Sequence, residues 1–243
     1  ATGNEMDNNF YLFRQRHERS VSAALVLDMS PSTDEQIQDE TIFLYEKYAT
    51  FLLCEALHAS GDQFGIFSYF DFGPKASLFY TLKDFDEVYS GRHYRRLSEF
   101  KAADDGFSRL AVGLRHILSR MKEQEAKIKI VFFITDGLPF YFEDTVNEGK
   151  TSKEFQVDGK RTVVMDYPVP VVSVVAKGKK YIQEDMRKVN EEAALAGINL
   201  FCITLDPGSV DFMSSVFGTH LIYLPDIPEL PKRLLEIFRK VTR

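Results

Sequence analysis

Three short apolar runs constrain this chain more than any other feature. Residues 21–28 (VSAALVLD), 128–135 (IKIVFFIT) and 198–205 (INLFCITL) are almost wholly aliphatic or aromatic, and longer stretches with helical spacing lie between them. A run that is too short for a buried helix and does not alternate suits a strand covered on both faces. Strands of that kind, alternating with amphipathic helices, build a mostly parallel sheet. The chain therefore reads as α/β, with helices on both faces of a central sheet.

The remaining segments fill in that plan. A helix is expected from the first strand's return through about residue 59, with acidic residues in its first turns. Residues 64–72 (FGIFSYFDF) form the second strand, a Gly73-Pro74 turn follows, and residues 76–82 form one antiparallel edge strand. Helical spacing returns at 108–121, 185–196, 209–216 and 230–241, and residues 220–224 give a last strand. Residues 141–180 break the rhythm with two extended pieces, 162–165 and 169–176, around Asp166-Tyr167-Pro168. They read as a β-hairpin or arm inserted after the central strand. Residues 1–20 read as an N-terminal linker or extension and 21–243 as a single domain, a size the 243 residues allow. The chain starts with Ala and reads as part of a longer protein.

A net charge of −6 disfavours a general nucleic-acid binder, which needs a basic face. The basic stretch at 92–96 (RHYRR) reads as a solvated face. Cys54 and Cys202 have no framework spacing and fall in apolar segments, as small core residues of a reducing compartment do. No apolar run is long enough to span a bilayer, and residues 1–9 lack the apolar core of a signal peptide. A cytoplasmic location is expected.

Chemistry gathers at three places. Asp28-Met29-Ser30-Pro31-Ser32 follows the first strand, Ser108 opens a helix, and Thr135-Asp136-Gly137 ends the central strand. In an open α/β sheet the loops beyond the carboxyl ends of neighbouring strands converge on one crevice. Mg²⁺ takes six oxygens in near-octahedral array and keeps some waters. Ser30, Ser32 and Ser108 offer neutral hydroxyls, while Asp28 and Asp136 supply charge directly or through water. So few anionic ligands would leave the ion electrophilic enough to take a carboxylate from a partner, either an acidic side chain or a chain terminus. Mg²⁺ is the expected ion, with Mn²⁺ or Ca²⁺ as the others this oxygen set would accept.

These three motifs resemble the metal-ion-dependent adhesion site of von Willebrand factor A (VWA) domains, which usually have Thr where Ser108 stands. Residues 14–33, 79–89, 106–116, 201–206, 216–218 and 228–234 resemble, more narrowly, the C-terminal VWA domain of the NorD/CbbO family. The resemblance implies a Rossmann-like VWA fold, in which 141–180 is a family-atypical insertion. It also implies an adaptor that works with a MoxR-type AAA+ ATPase to activate or remodel a target enzyme, of the nitric oxide reductase or Rubisco type.

Catalysis is not expected. A hydrolase using Asp28 as phosphoryl nucleophile would need a second carboxylate two residues on, where Ser30 stands, and a nearby lysine that Thr135-Asp136-Gly137 does not supply. A scaffolding VWA with a vestigial metal site is the other alternative, and the complete set of five oxygen side chains speaks against it. His17, His58, His93, His116 and His220 form no spaced ligand pair and read as surface or core residues. Phe140, Tyr141 and Phe142 follow Asp136 closely and either form an apolar rim for a partner or pack beneath the insertion.

Overall fold

Every residue of the strand Val21–Asp28 (β1) is buried, and β1 lies inside an eight-stranded sheet. The computed structural model describes residues 20–37, 39–72, 76–103, 110–135, 153–157, 160–165, 178–204, 207–226 and 229–242. After β1 come a 3₁₀ turn (Pro31–Asp34), a two-stranded ribbon of β2 (Gln36–Ile37) and β3 (Glu40–Thr41), and α1 (Ile42–Ser60). Then follow β4 (Gln63–Phe72), β5 (Ala76–Lys83), α2 (Gly91–Glu99), α3 (Leu110–Lys122) and β6 (Ile128–Thr135). The rest comprises β7 (Lys153–Val157), β8 (Lys160–Met165), α4 (Gly178–Leu195), β9 (Ile198–Thr204), α5 (Val210–Phe217), β10 (Leu221–Tyr223) and α6 (Leu230–Val241).

The sheet order is β10–β9–β6–β1–β4–β5–β8–β7. The first five strands are mutually parallel, and β5 pairs antiparallel with β4, as expected of the third strand. β7 and β8 then extend the sheet, because β8 pairs antiparallel with β5 and β7 with β8. Two antiparallel strands thus lie outside β5. The hairpin uses 153–157 and 160–165, whereas the expected extended piece at 169–176 lies outside the described residues.

Alternation along the strands divides the core in two. Val21, Ala23, Leu25 and Leu27 face a cluster completed by α1, α2 and α6, including Leu53, Leu57, Leu97, Leu234 and Phe238. Ala24 and Val26 face the opposite cluster with α3, α4 and α5, including Leu110, Leu114, Val189 and Met213. Helices on both faces are thus a direct consequence of the continuous apolar runs. Cys54 and Cys202 are free and buried in this core, and burial pushes both thiols up. Among the described residues no helix is long and apolar enough to cross a membrane.

Local chemistry shifts several boundaries. The acidic residues 34, 35, 39 and 40 lie before α1 rather than in its first turns, and Thr41 caps the helix by accepting the Leu44 N–H at 3.3 Å. Gly61 ends α1 at φ 71°, a left-handed conformation glycine adopts without strain. The RHYRR stretch forms α2, with His93 and Leu97 buried and Arg92 and Arg96 set against Glu87. Lys47 of α1 donates to the Ser98 and Phe100 carbonyls, both at 3.0 Å, and so satisfies the end of α2.

Two histidines make the fold acid-sensitive. His116 packs its ring 4.4 Å from Phe79, and burial, with the Arg120 charge adding to it, pushes its imidazole down to about 4. Burial also lowers His93. Because the folded values lie below the ordinary one near 6.5, the unfolded chain takes up protons first as pH falls. Stability is therefore full above about pH 6.5 and declines as pH drops toward the folded values. Thermal unfolding between pH 7 and 4.5 should show this decline, and His116→Phe should make it shallower. An equally steep decline in His116→Phe would remove His116 from the account.

Candidate functional site

The chain passes from β1 to β4 on one side and returns to β6 on the other, so the strand order reverses between β1 and β6. Crevices form beyond the carboxyl ends of strands at such a reversal. Asp28 ends β1 at this point and is 1% exposed. One carboxylate oxygen, Oδ1, accepts the Ser30 backbone N–H at 3.0 Å. The other, Oδ2, accepts the Thr135 hydroxyl at 2.8 Å. The carboxylate is therefore held from two directions, one local and one from the adjacent strand.

The turn after Asp28 is equally fixed. Ser30 carbonyl oxygen accepts both the backbone N–H of Thr33 (3.0 Å) and its hydroxyl (2.8 Å). Pro31 presets φ at the start of the 3₁₀ turn, and the Ser32 carbonyl accepts the Glu35 N–H at 3.1 Å. This places the Ser30 and Ser32 hydroxyl oxygens 3.1 Å apart. Ser30 is buried and Ser32 exposed, so the pair opens toward solvent.

Of the five oxygen side chains expected at the site, the structure brings Asp28, Ser30 and Ser32 together. Ser108 and Asp136 lie outside the described residues, as do Phe140, Tyr141 and Phe142. Their described chain neighbours are tied to the site. Thr135, next to Asp136, bonds Asp28, and the Ala103 N–H donates to the Met29 carbonyl at 2.8 Å, five residues before Ser108.

Oxygen-bearing residues that sequence reasoning did not assign line up beside Asp28. Asp28 is in register with Tyr69 of β4, and Thr135 is in register with Thr204 of β9. Since Leu27 pairs with Ile134, the next step of that register puts Asp28 beside Thr135. Tyr69, Asp28, Thr135 and Thr204 therefore form one buried row on the α3 face. Thr204 and Ser209 close it with hydroxyls 2.6 Å apart. Thr135 carried a signal in its motif, but its direct bond to Asp28 depends on strand pairing. Among the described residues no group of three His, Cys, Asp or Glu side chains gathers for a metal.

Residues 23–138 match the family model of the von Willebrand factor type A domain. Over that stretch, just under half of the chain, the chain is similar to a VWA domain. Over 98% of its length it is 22% identical to protein NorD of Brucella suis, and over 99% it is 24% identical to an uncharacterised protein of Pseudomonas aeruginosa. It spans about a third of each relative, 32% and 34% respectively. Solved structures share this fold at low identity. The PilB minor pilin from Streptococcus sanguinis aligns with TM-score 0.62 and 13% identity, covering 93% of this chain and 62% of the pilin. The SpRpn10 VWA domain aligns with TM-score 0.54 and 9% identity, covering 89% and 95%. Proximal thread matrix protein 1 of the mussel byssus, solved with a zinc-occupied MIDAS motif, aligns with TM-score 0.54 and 14% identity, covering 90% and 47%.

Proposed function

We propose that this VWA domain is a metal-dependent adaptor in which Asp28, Ser30, Ser32, Ser108 and Asp136 hold a divalent cation that an acidic group of a partner completes. The observation that carries the reading is the pinned Asp28 carboxylate beside two hydroxyls at the sheet's reversal point. The donor set fits a small hard ion. The Ser30 and Ser32 hydroxyls, 3.1 Å apart, present two neutral oxygens on one side of such an ion, a set that suits Mg²⁺ and that Mn²⁺ or Ca²⁺ also accept. A cation held here supplies one chemistry, an open position for a carboxylate.

The residues do the rest. The Ser30 N–H and the Thr135 hydroxyl orient Asp28, as outer partners of a metal ligand do. Ser30 gives a neutral hydroxyl where a phosphoryl-transfer enzyme needs an acid, which supports docking over catalysis. Phe140, Tyr141 and Phe142 are proposed as the apolar rim that contacts the partner, and residues 141–180 as a source of target specificity. Likeness to NorD extends the reading to a cytoplasmic role, coupling a MoxR-type AAA+ ATPase to a target enzyme of the nitric oxide reductase or Rubisco type.

The immobilised chain should retain a purified MoxR-type ATPase in Mg²⁺ and release it on addition of EDTA. Retention that EDTA does not change would overturn the metal-bridged reading.

A further inference from the structure

β10 ends the sheet. It pairs with β9 alone, and among the described residues no strand lies on its outer side. The Leu224 N–H donates to the Thr204 carbonyl at 3.1 Å, which fixes the alternation along the strand. Ile222 and Leu224 turn their backbone groups toward β9, while Leu221 and Tyr223 turn theirs outward. The Leu221 N–H is taken by the Gly218 carbonyl. The Leu221 carbonyl and the Tyr223 N–H and carbonyl are left as a short open edge, which Pro225, having no N–H, brings to a stop.

Brevity and proline ordinarily keep such an edge from pairing. Here a helix stands alongside it. Residues 221–226 and α6 enclose a groove of about 400 Å³, within the range of sites that hold a ligand. Ile222, Leu224 and Ile237 give it an apolar lining continuous with the α1 and α6 core. Asp226, Glu229 and Glu236 border it against one cation, Arg233, which Glu236 pairs at 3.3 Å. Asp226 and Glu229 are exposed, and the other basic residues of α6 (Lys232, Arg239 and Lys240) do not line the groove.

We propose that this groove takes an extended basic segment of a partner protein, which adds to β10 as a further strand with α6 on its other side. Each feature selects part of that occupant. Main-chain groups at an open edge bind main chain, so the segment is extended. Its alternate side chains fall on the apolar lining and are themselves apolar. The carboxylates of Asp226 and Glu229 select Lys or Arg among the rest. The same charge disfavours a second copy of this chain, whose own Asp226 and Glu229 would meet them. Tyr223 is in register with Thr204, in the row that holds Asp28, so the groove lies about 14 Å along the sheet from Asp28. It shares no residue with the metal site and needs no cation.

A fluorescein-labelled peptide, Lys-Val-Lys-Val-Lys-Val, titrated with the whole chain in EDTA and read by anisotropy tests this. N-methylation of one alternate set of its amides, the set facing β10, should weaken binding by about 10-fold, the scale of one or two hydrogen bonds. Methylating the other set should change it by less than about twofold. Replacing Lys by Glu in the peptide should weaken binding at least as much. In the chain, Tyr223→Pro deletes an outward N–H at an edge position that tolerates proline, and it should also weaken binding by about 10-fold, whereas Tyr223→Val should not. If Tyr223→Pro does not fold, the methylated peptides on the wild-type chain decide. No binding of the Lys peptide, or equal effects from the two methylated sets, would overturn strand addition. A Glu peptide that binds as well would overturn the basic occupant. Self-association of the chain that Tyr223→Pro abolishes would put a second copy in the groove and overturn the proposal.

Discussion

Asp28→Ala should abolish measurable Mg²⁺ binding in a calorimetric titration and remove Mg²⁺-dependent capture of the partner. The loss should exceed the 10–100-fold that follows removal of a ligand's outer support, because a ligand itself is deleted. Asp28 is one of only two carboxylates in the proposed set, so half of its negative charge goes. The fold should survive. The substitution takes the carboxylate acceptor away from the Ser30 N–H and the Thr135 hydroxyl, at about 1 kcal/mol for each hydrogen bond lost, but it also removes a carboxylate buried in that place. Asp28→Asn separates the two effects, since it keeps the shape and one acceptor oxygen while losing the charge. It should bind Mg²⁺ far more weakly than wild type at nearly unchanged stability. Wild-type titration curves from both variants would sink the assignment of Asp28.

Phe132→Ala should cause the largest loss of stability. Phe132 lies in β6 at the centre of the parallel strands, is fully buried, and stacks on Phe201 of β9 at 5.7 Å. Its ring joins Leu25 and Leu53 in the α1 and α6 cluster. Removing a buried phenylalanine costs about 3–5 kcal/mol, and for a domain of this size each kcal/mol is worth about 2–4 °C. The midpoint should fall on the order of 10 °C. Phe132 faces away from the row that holds Asp28, so the folded fraction should keep its Mg²⁺ affinity. A loss below about 1 kcal/mol would mean that this side of the core can repack freely.

How legible each part was in the sequence depends on how far its determinants lie apart. The strands β1, β6 and β9 declare themselves because burial on both faces demands unbroken apolar residues. α2 does not, because GRHYRRLSE presents only His93 and Leu97 to the core. Its ends depend on Ser90, whose N–H donates to His93 at 3.1 Å, and on Lys47 from a distant helix. Of the two extended pieces expected at 162–165 and 169–176, the first lies within β8 (KRTVVM), the second is outside the described residues, and β7 (KEFQV) carried no apolar signal. Outer antiparallel strands tolerate polar residues, so a strand like β7 gives little apolar signal. At the site, Asp28, Ser30 and Ser32 announce themselves by spacing within one turn. Thr135 and Tyr69 do not, because their places beside Asp28 exist only once the register of β1 with β6 and β4 is set.

The bond between Thr135 and Asp28 joins residues 107 positions apart. Closing so large a loop is entropically slow, and contacts of that separation are among the last that a folding chain makes. Asp28 is thus synthesised before Thr135 but cannot take its final orientation until β6 has docked against β1. A cation that needs this oriented carboxylate has no site to bind on the unfolded chain or on a half-built sheet. Interactions absent from the folding transition state slow unfolding and leave folding little changed. Metal held at Asp28 would therefore act as a latch, keeping the finished sheet shut without helping it to close.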